Sequence, residues 1–315
     1  MKAVTYDQFG GTDMLKIREY PTPEPRENEV LIKIENASVN PVDWKIREGL
    51  LKERMPHKFP IIPGWDAAGK IAKVGKSVKD YKVGDEVYAY TRKDTIQEGT
   101  YAEYIAVPAD FVSIKPKKTN FAQAAALPLV ALTAWQALFD VAKLKKGQTV
   151  LIQSGSGGVG SLAIQLAKYA GCKVYTTTSQ SNFDYVKKFK PDRIIDYKNE
   201  NFVDVIKKES PEGIDVVFDM LGGESLTDAA KIVKKGGAIV SIIQPLDKTI
   251  AEKYGILGLY WFVRPNGEQL KEVARLIDAG KVQLPHIEEM SLKDAALAQD
   301  KNREGHVRGK IVLKI

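Results

Sequence analysis

Apolar and polar positions along this chain follow two rhythms, and the change between them falls near residue 121. From Val30 to Val107 short β-branched runs (VLIKIENASV, KIAKV, DEVYAY and AEYIAV) are separated by Gly, Pro, Asn and Asp. Such runs, bounded by turn residues, predict a compact, mostly β domain with irregular loops. Beyond residue 121 a helical stretch at 122–138 leads to a strand at 149–153, a helix at 161–170 and a strand at 173–178. Further strands are expected at 193–195, 215–218 and 238–243, with helices at 182–189 and 226–233 between them. Alternation at this spacing implies an α/β fold, a parallel sheet covered on both faces. After Pro265, GEQLKEVARLIDAGK carries helical periodicity with a stop at Gly280, and the final KIVLKI reads as a strand.

Length and composition fit this two-part picture. At 315 residues the chain can bury two cores, and 44% hydrophobic with 28% charged residues is an ordinary globular composition. One cysteine cannot form an intramolecular disulfide, and MKAVTYDQFGG lacks the apolar core of a signal peptide, so a cytoplasmic location is expected. The most apolar stretch, 124–135, is shorter than the roughly 20 residues of a membrane span and contains Pro128, so it reads as a buried helix and no membrane partner is expected. The net charge of +7 comes from dispersed lysine pairs such as Lys145-Lys146 and Lys207-Lys208. No helix-turn-helix or aromatic-studded strand accompanies them, so they read as solvated surface and a nucleic-acid partner is not expected.

Candidate chemistry concentrates in one loop. The apolar strand TVLIQ runs into Ser154-Gly155-Ser156-Gly157-Gly158-Val159-Gly160, and SLAIQLAKYA continues as an apolar-faced helix. In that setting Gly155 permits a tight turn, Gly157 lets a pyrophosphate approach the backbone, and Gly160 allows close helix-to-strand packing. Free amides of Gly158, Val159 and Gly160 at the helix start would stabilise the anion. An Asp or Glu some 20 residues on would bind the ribose hydroxyls of NAD. The chain instead has Thr176-Thr177-Thr178-Ser179-Gln180-Ser181. Hydroxyls can donate to a 2′-phosphate where a carboxylate would repel it, which favours NADPH. The alternative is that these small polar residues merely cap the next helix, and Ser179 or Ser181 could do both.

Taken in order, Asn40-Pro41-Val42-Asp43, Pro63-Gly64-Trp65-Asp66-Ala67-Ala68-Gly69, Val83-Gly84-Asp85-Glu86-Val87, Gly99-Thr100-Tyr101-Ala102-Glu103-Tyr104, Ala124-Ala125-Ala126-Leu127-Pro128, Leu132-Thr133-Ala134, the glycine loop, Asp196-Tyr197 and Gly309-Lys310-Ile311-Val312 span nearly the whole chain. With these motifs the sequence resembles the quinone oxidoreductase branch of the medium-chain dehydrogenases/reductases, which includes zeta-crystallin. The resemblance implies a GroES-like, mostly β catalytic domain from residues 1–120 completed by 263–315. A Rossmann-type NADP-binding domain at 121–262 is implied between them, with the active site in the cleft. It also implies that Asn40 and Asp43 lie beside the nicotinamide or organise the loop around it. Thr133 would sit near the nicotinamide half of the cofactor, and Tyr197 would line the adenosine phosphate site. Many relatives place a lysine where this chain has Ser181, which weakens the NADPH preference without reversing it. Zinc-dependent relatives carry a catalytic Cys, a Gly-His-Glu motif and a four-cysteine lobe. Here Trp65-Asp66 stands in place of His-Glu, and Cys172, His57, His286 and His306 do not supply a ligand set, so no metal is expected.

Asn40-Pro41-Val42-Asp43-Trp44-Lys45 is most similar to plant enone and alkenone oxidoreductases, which shifts the expected acceptor from quinones alone towards α,β-unsaturated carbonyls. Hydride delivered to an enone generates an enolate, and Lys45 is the candidate cation beside its oxygen, the alternative being an exposed loop lysine. Trp65, Tyr88 and Tyr90 could wall a flat acceptor or simply fill the core. The activity expected is an NADPH-dependent reductase of quinones or enones. A non-catalytic NADPH-binding protein with a crystallin-like or RNA-binding role is the alternative. Relatives commonly dimerise through edge strands of the nucleotide domain, for which 238–243 and the segment after it are candidates.

Overall fold

The computed structural model describes residues 1–305 and 307–315; His306 lies outside the described residues. The chain divides into two compact units. One comprises Met1–Leu132, Arg264–Gly280 and Leu284–Ile315, the other Thr133–Val263 with Lys281–Gln283.

The first unit is organised by one long strand, Glu29–Ser38, which pairs antiparallel with Asp66–Val74, Tyr104–Pro108 and the C-terminal strand Lys310–Lys314. Its sheet runs in the order Ile287–Ser291, Lys310–Lys314, Glu29–Ser38, Asp66–Val74, Glu86–Tyr90, Val112–Ile114. Val30, Ile32 and Ile34 bury one side against Ile71, Val87 and Ile105. Each such side chain contributes roughly 1.5–3 kcal/mol. A second cluster joins Val4, Ala37 and Val39 to Leu292, Ala298, Ile311 and Leu313. Both ends of the chain therefore pack beneath residues 37–39, immediately before Asn40.

In the second unit six strands lie parallel in the order Arg193–Asp196, Lys173–Thr178, Thr149–Ile152, Ile214–Asp219, Val233–Ser241, Leu257–Tyr260. Numbered along the chain this is 3-2-1-4-5-6, the order of dinucleotide-binding sheets, whose ligands bind outside the strand C-termini where the order reverses. That point lies beside Thr149–Ile152, the strand feeding the glycine loop.

Three expectations are revised. The helix expected over 122–138 is broken: Phe121–Ala125, capped by Asn120, stops before Pro128, and the chain restarts as Pro128–Trp135 and a π-helical turn, Gln136–Val141. Proline disfavours helix in the residue before it and suits the first helical position. Because Phe121–Ala125 packs on Glu29–Ser38 and Asp66–Val74, the units change at 132/133 rather than 120/121. Residues 238–241 belong to Val233–Ser241, which is flanked on both sides, so the edge on that side is Leu257–Tyr260, in the segment that follows. Among the described residues no helix is long and apolar enough to cross a membrane.

Candidate active site

Three glycines of the loop differ in what demands them. A Cβ on Gly155 would lie 2.2 Å from Thr176 Oγ1, and one on Gly160 would lie 2.2 Å from the Ser154 carbonyl oxygen, so both are required by the protein's own packing. Gly157 differs. A Cβ there would meet nothing closer than Ser154 O at 3.4 Å, and its φ of −76° suits any residue. Neither packing nor backbone demands glycine at 157, so the vacancy fits a ligand that approaches the chain. Gly157 precedes the helix Gly158–Tyr169 and offers no capping side chain, which leaves the first-turn amides of Gly158, Val159 and Gly160 for an anion.

The end of the next strand supplies the hydroxyls. Thr178 is buried, with an Oγ1 that has no hydrogen-bond partner among the described residues. Ser179 Oγ lies 3.0 Å from Ser181 Oγ and accepts from Asn182 Nδ2 at 3.3 Å. The Ser179 side chain makes no capping bond to the following turn. Tyr197, 57% exposed, follows the adjacent strand, and its N–H donates to Thr178 O at 3.3 Å. The pairing of Asp196 with Thr178 thus gathers Ser179, Ser181 and Tyr197 at one strand end. Lys198, exposed and in no ion pair among the described residues, brings a cation that the sequence reading missed. Thr133 is buried in the helix Pro128–Trp135.

In the first unit Asn40 immediately precedes the helix Pro41–Arg47. Asp43 Oδ2 accepts from Asn40 N–H at 2.9 Å and from the Tyr101 hydroxyl at 2.9 Å. The Asn40 side chain turns the other way. Its Nδ2 donates to Asp66 Oδ2 at 2.9 Å, and its Oδ1 accepts from Lys310 Nζ at 2.5 Å. Asp66 Oδ1 takes the Leu129 N–H at 2.8 Å. All five side chains are buried. Burial pushes the Asp43 carboxyl up to about 7 and Asp66 up to about 6, and the Lys310 charge opposes both shifts. Burial in turn lowers Lys310. A carboxylate so enclosed organises the loop and presents no face to an acceptor.

Lys45 lies on the same helix, half-buried, with Nζ 5.6 Å from the Trp44 ring centroid. Loss of water lowers its pKa, and no described carboxylate pairs with it. A partly desolvated ammonium without a counter-ion is suited to a developing oxyanion. Trp65, Tyr88 and Tyr90 are core residues: Tyr88 donates to Leu270 O at 2.6 Å, and Trp65 packs edge-on against Tyr90 at 6.0 Å.

Two family models match, the alcohol dehydrogenase GroES-like domain over residues 26–117 and zinc-binding dehydrogenase over 190–313. The NADPH-dependent alkenal/one oxidoreductase, chloroplastic, of Arabidopsis thaliana is 40% identical over 289 residues, covering 90% of this chain and 70% of that protein. The quinone oxidoreductase structure from Coxiella burnetii superposes with a TM-score of 0.89 at 35% identity, covering 100% of this chain and 99% of the other. The Escherichia coli quinone oxidoreductase complexed with NADPH gives 0.89 at 26% identity, with both chains fully covered. The chain belongs to the quinone oxidoreductase branch of the medium-chain dehydrogenases/reductases.

Among the described residues no group of three or more His, Cys, Asp or Glu could hold a metal ion. The Lys310 ammonium, 4.0 Å from Asp66 Oδ2, supplies the positive charge beside that carboxylate. Lys310 and Tyr101 belong to the motifs Gly309–Val312 and Gly99–Tyr104. Their partnership with Asn40, Asp43 and Asp66 spans up to 270 positions, and no local pattern signals it.

Proposed function

We infer that this protein is an NADPH-dependent reductase that transfers a hydride to quinones or α,β-unsaturated carbonyls. The observation that carries the reading is the vacancy at Gly157 on the switch point of a 3-2-1-4-5-6 sheet, with hydroxyls instead of an acid at the end of the second strand. The nicotinamide supplies the hydride when bound. The amides of Gly158, Val159 and Gly160 would hold the pyrophosphate, and Ser179, Ser181 and Tyr197 would donate to the 2′-phosphate. Thr133 would line the nicotinamide half. Lys45 would stabilise the enolate or quinol oxygen, on a helix whose start is held by Asn40 and Asp43. Relatives named as alkenal/one and quinone oxidoreductases support turnover, and no observation favours NADPH storage without it.

NADPH and NADH consumption by chelator-treated protein, followed against quinones, 2-alkenals and enones, tests this reading. Turnover with NADPH is expected; tight NADPH binding with no turnover on any acceptor would refute it. We also propose a homodimer formed through the edge strand Leu257–Tyr260, which leaves Leu257 57% exposed. Leu257→Asp is expected to give a monomer in light scattering, and an unchanged mass would overturn the assignment.

A further inference from the structure

Lys310 is 4% exposed. An ammonium withdrawn that far from water is unfavourable unless it is paired and hydrogen-bonded. Its bonds all go to one place. Nζ donates to Val39 O at 2.7 Å and to Asn40 Oδ1 at 2.5 Å, with Asp66 Oδ2 at 4.0 Å completing its surroundings. Val39 and Asn40 are the two residues that lead into the helix Pro41–Arg47. The Asn40 amide is therefore fixed from both sides, oxygen against the ammonium and nitrogen against the Asp66 carboxylate. Asn40 N–H in turn holds Asp43, whose other neighbour is the Tyr101 hydroxyl. Lys45 follows two residues later on the same helix. The turn that delivers the lysine to its strand requires glycine: Gly309 has φ +69°, and a Cβ there would fall 2.0 Å from His286 O.

We propose that Lys310 is a positioning residue for hydride transfer, its ammonium fixing Asn40 and, through the Asn40–Asp43 turn, the helix that presents Lys45 to the acceptor. The proposal rests on the reductase reading above. Lys310 reaches the acceptor only through other groups, and its charge balances part of the negative charge of Asp43 and Asp66.

Lys310→Met keeps an unbranched apolar side chain of nearly the same length and removes its charge and donors. Turnover number is expected to fall about ten- to hundredfold, the equivalent of one hydrogen bond to a charged group. NADPH affinity, measured by fluorescence titration, is expected to stay within about twofold, since the proposed cofactor-binding residues lie in the other unit. In an Asn40→Ala background the same substitution is expected to cost nothing further. Additive losses, or an unchanged turnover number in folded Lys310→Met, would overturn the proposal. If the variant does not fold because two carboxylates lose their cation, Asp66→Asn/Lys310→Met is compared with Asp66→Asn, and the same fall is expected. A readout independent of turnover separates this proposal from the reductase reading. After reductive ¹³C-methylation, the Lys45 resonance, assigned by its loss in Lys45→Arg, is expected to shift in Lys310→Met. An unmoved resonance would sink the positioning role even if the wild type reduces every acceptor.

Discussion

Replacing Gly157 with alanine separates what the glycine loop does for the protein from what it does for the cofactor. A Cβ at 157 meets Ser154 O at 3.4 Å and Ser154 Oγ at 3.6 Å, ordinary contacts, and φ of −76° is already accessible to alanine. Alanine also narrows the unfolded ensemble, so the cofactor-free protein is expected to gain about 0.4–1 kcal/mol. NADPH meets the opposite situation. The added methyl occupies the approach to the backbone, and forcing a methyl into a filled contact costs about 1–3 kcal/mol, or roughly five- to 150-fold in Kd. Gly160→Ala is the control. Its Cβ would lie 2.2 Å from Ser154 O and 2.9 Å from Gly155 Cα, both backbone atoms that cannot swing aside. That variant is expected to lose stability and NADPH binding together. Urea unfolding of the cofactor-free proteins and calorimetric titration with NADPH supply both quantities. Wild-type NADPH affinity in Gly157→Ala would refute the cradle assignment, because the vacancy would then serve no ligand.

Other expectations follow from the same geometry. Lys45→Met is expected to lower turnover at least about tenfold while leaving NADPH affinity in place, since it removes one charge from the developing oxyanion; an unchanged rate in steady-state assays would remove Lys45 from the chemistry. Ser181→Lys is expected to raise the preference for NADPH over NADH by about two- to fivefold, the scale of an exposed ion pair, in paired Kd measurements. Asp43 and Asp66 carry raised folded-state values, about 7 and about 6, against roughly 3.9 in the unfolded chain. Folding therefore takes up protons, and the stability they contribute is complete below about pH 4 and lost as pH rises through about 7. The groups facing them are Lys310, Tyr101, Tyr90 and Tyr6, and the two carboxyls act on one another. Asp43→Asn is expected to flatten the fall in the urea midpoint between pH 5 and pH 8, and an unaltered slope would show that Asp43 does not titrate there.

What the sequence made legible was local. The strand-loop-helix around Gly155 to Gly160 is a contiguous pattern whose period changes from two to 3.6, and Lys173–Thr178 forms where the β-branched run places it. The break at Pro128 was also written in the chain, but the apolar run on both sides of it reads as one helix until packing separates them. Leu257–Tyr260 escaped notice because LGLY is short and carries a glycine. It becomes a strand by pairing with Val233–Ser241. The polar cluster around Asn40 could not be read at all from spacing. Asp66 lies 26 positions from Asn40 and Lys310 lies 270. Only the sheet brings them together, by setting Lys310–Lys314 beside Glu29–Ser38.

That arrangement has a consequence for synthesis. The nucleotide unit is almost one continuous segment, Thr133–Val263, whereas the first unit needs the chain's last strand beside one of its first. A ribosome delivers residues in order, and domains made of contiguous chain can close as they emerge. The nascent protein can therefore complete its parallel sheet while Asn40 still lacks the ammonium that orients it. Reductive capacity would then be acquired late, in a single step, when residue 310 clears the exit tunnel and its strand docks. A chain interrupted before that point would be able to hold NADPH without being able to use it.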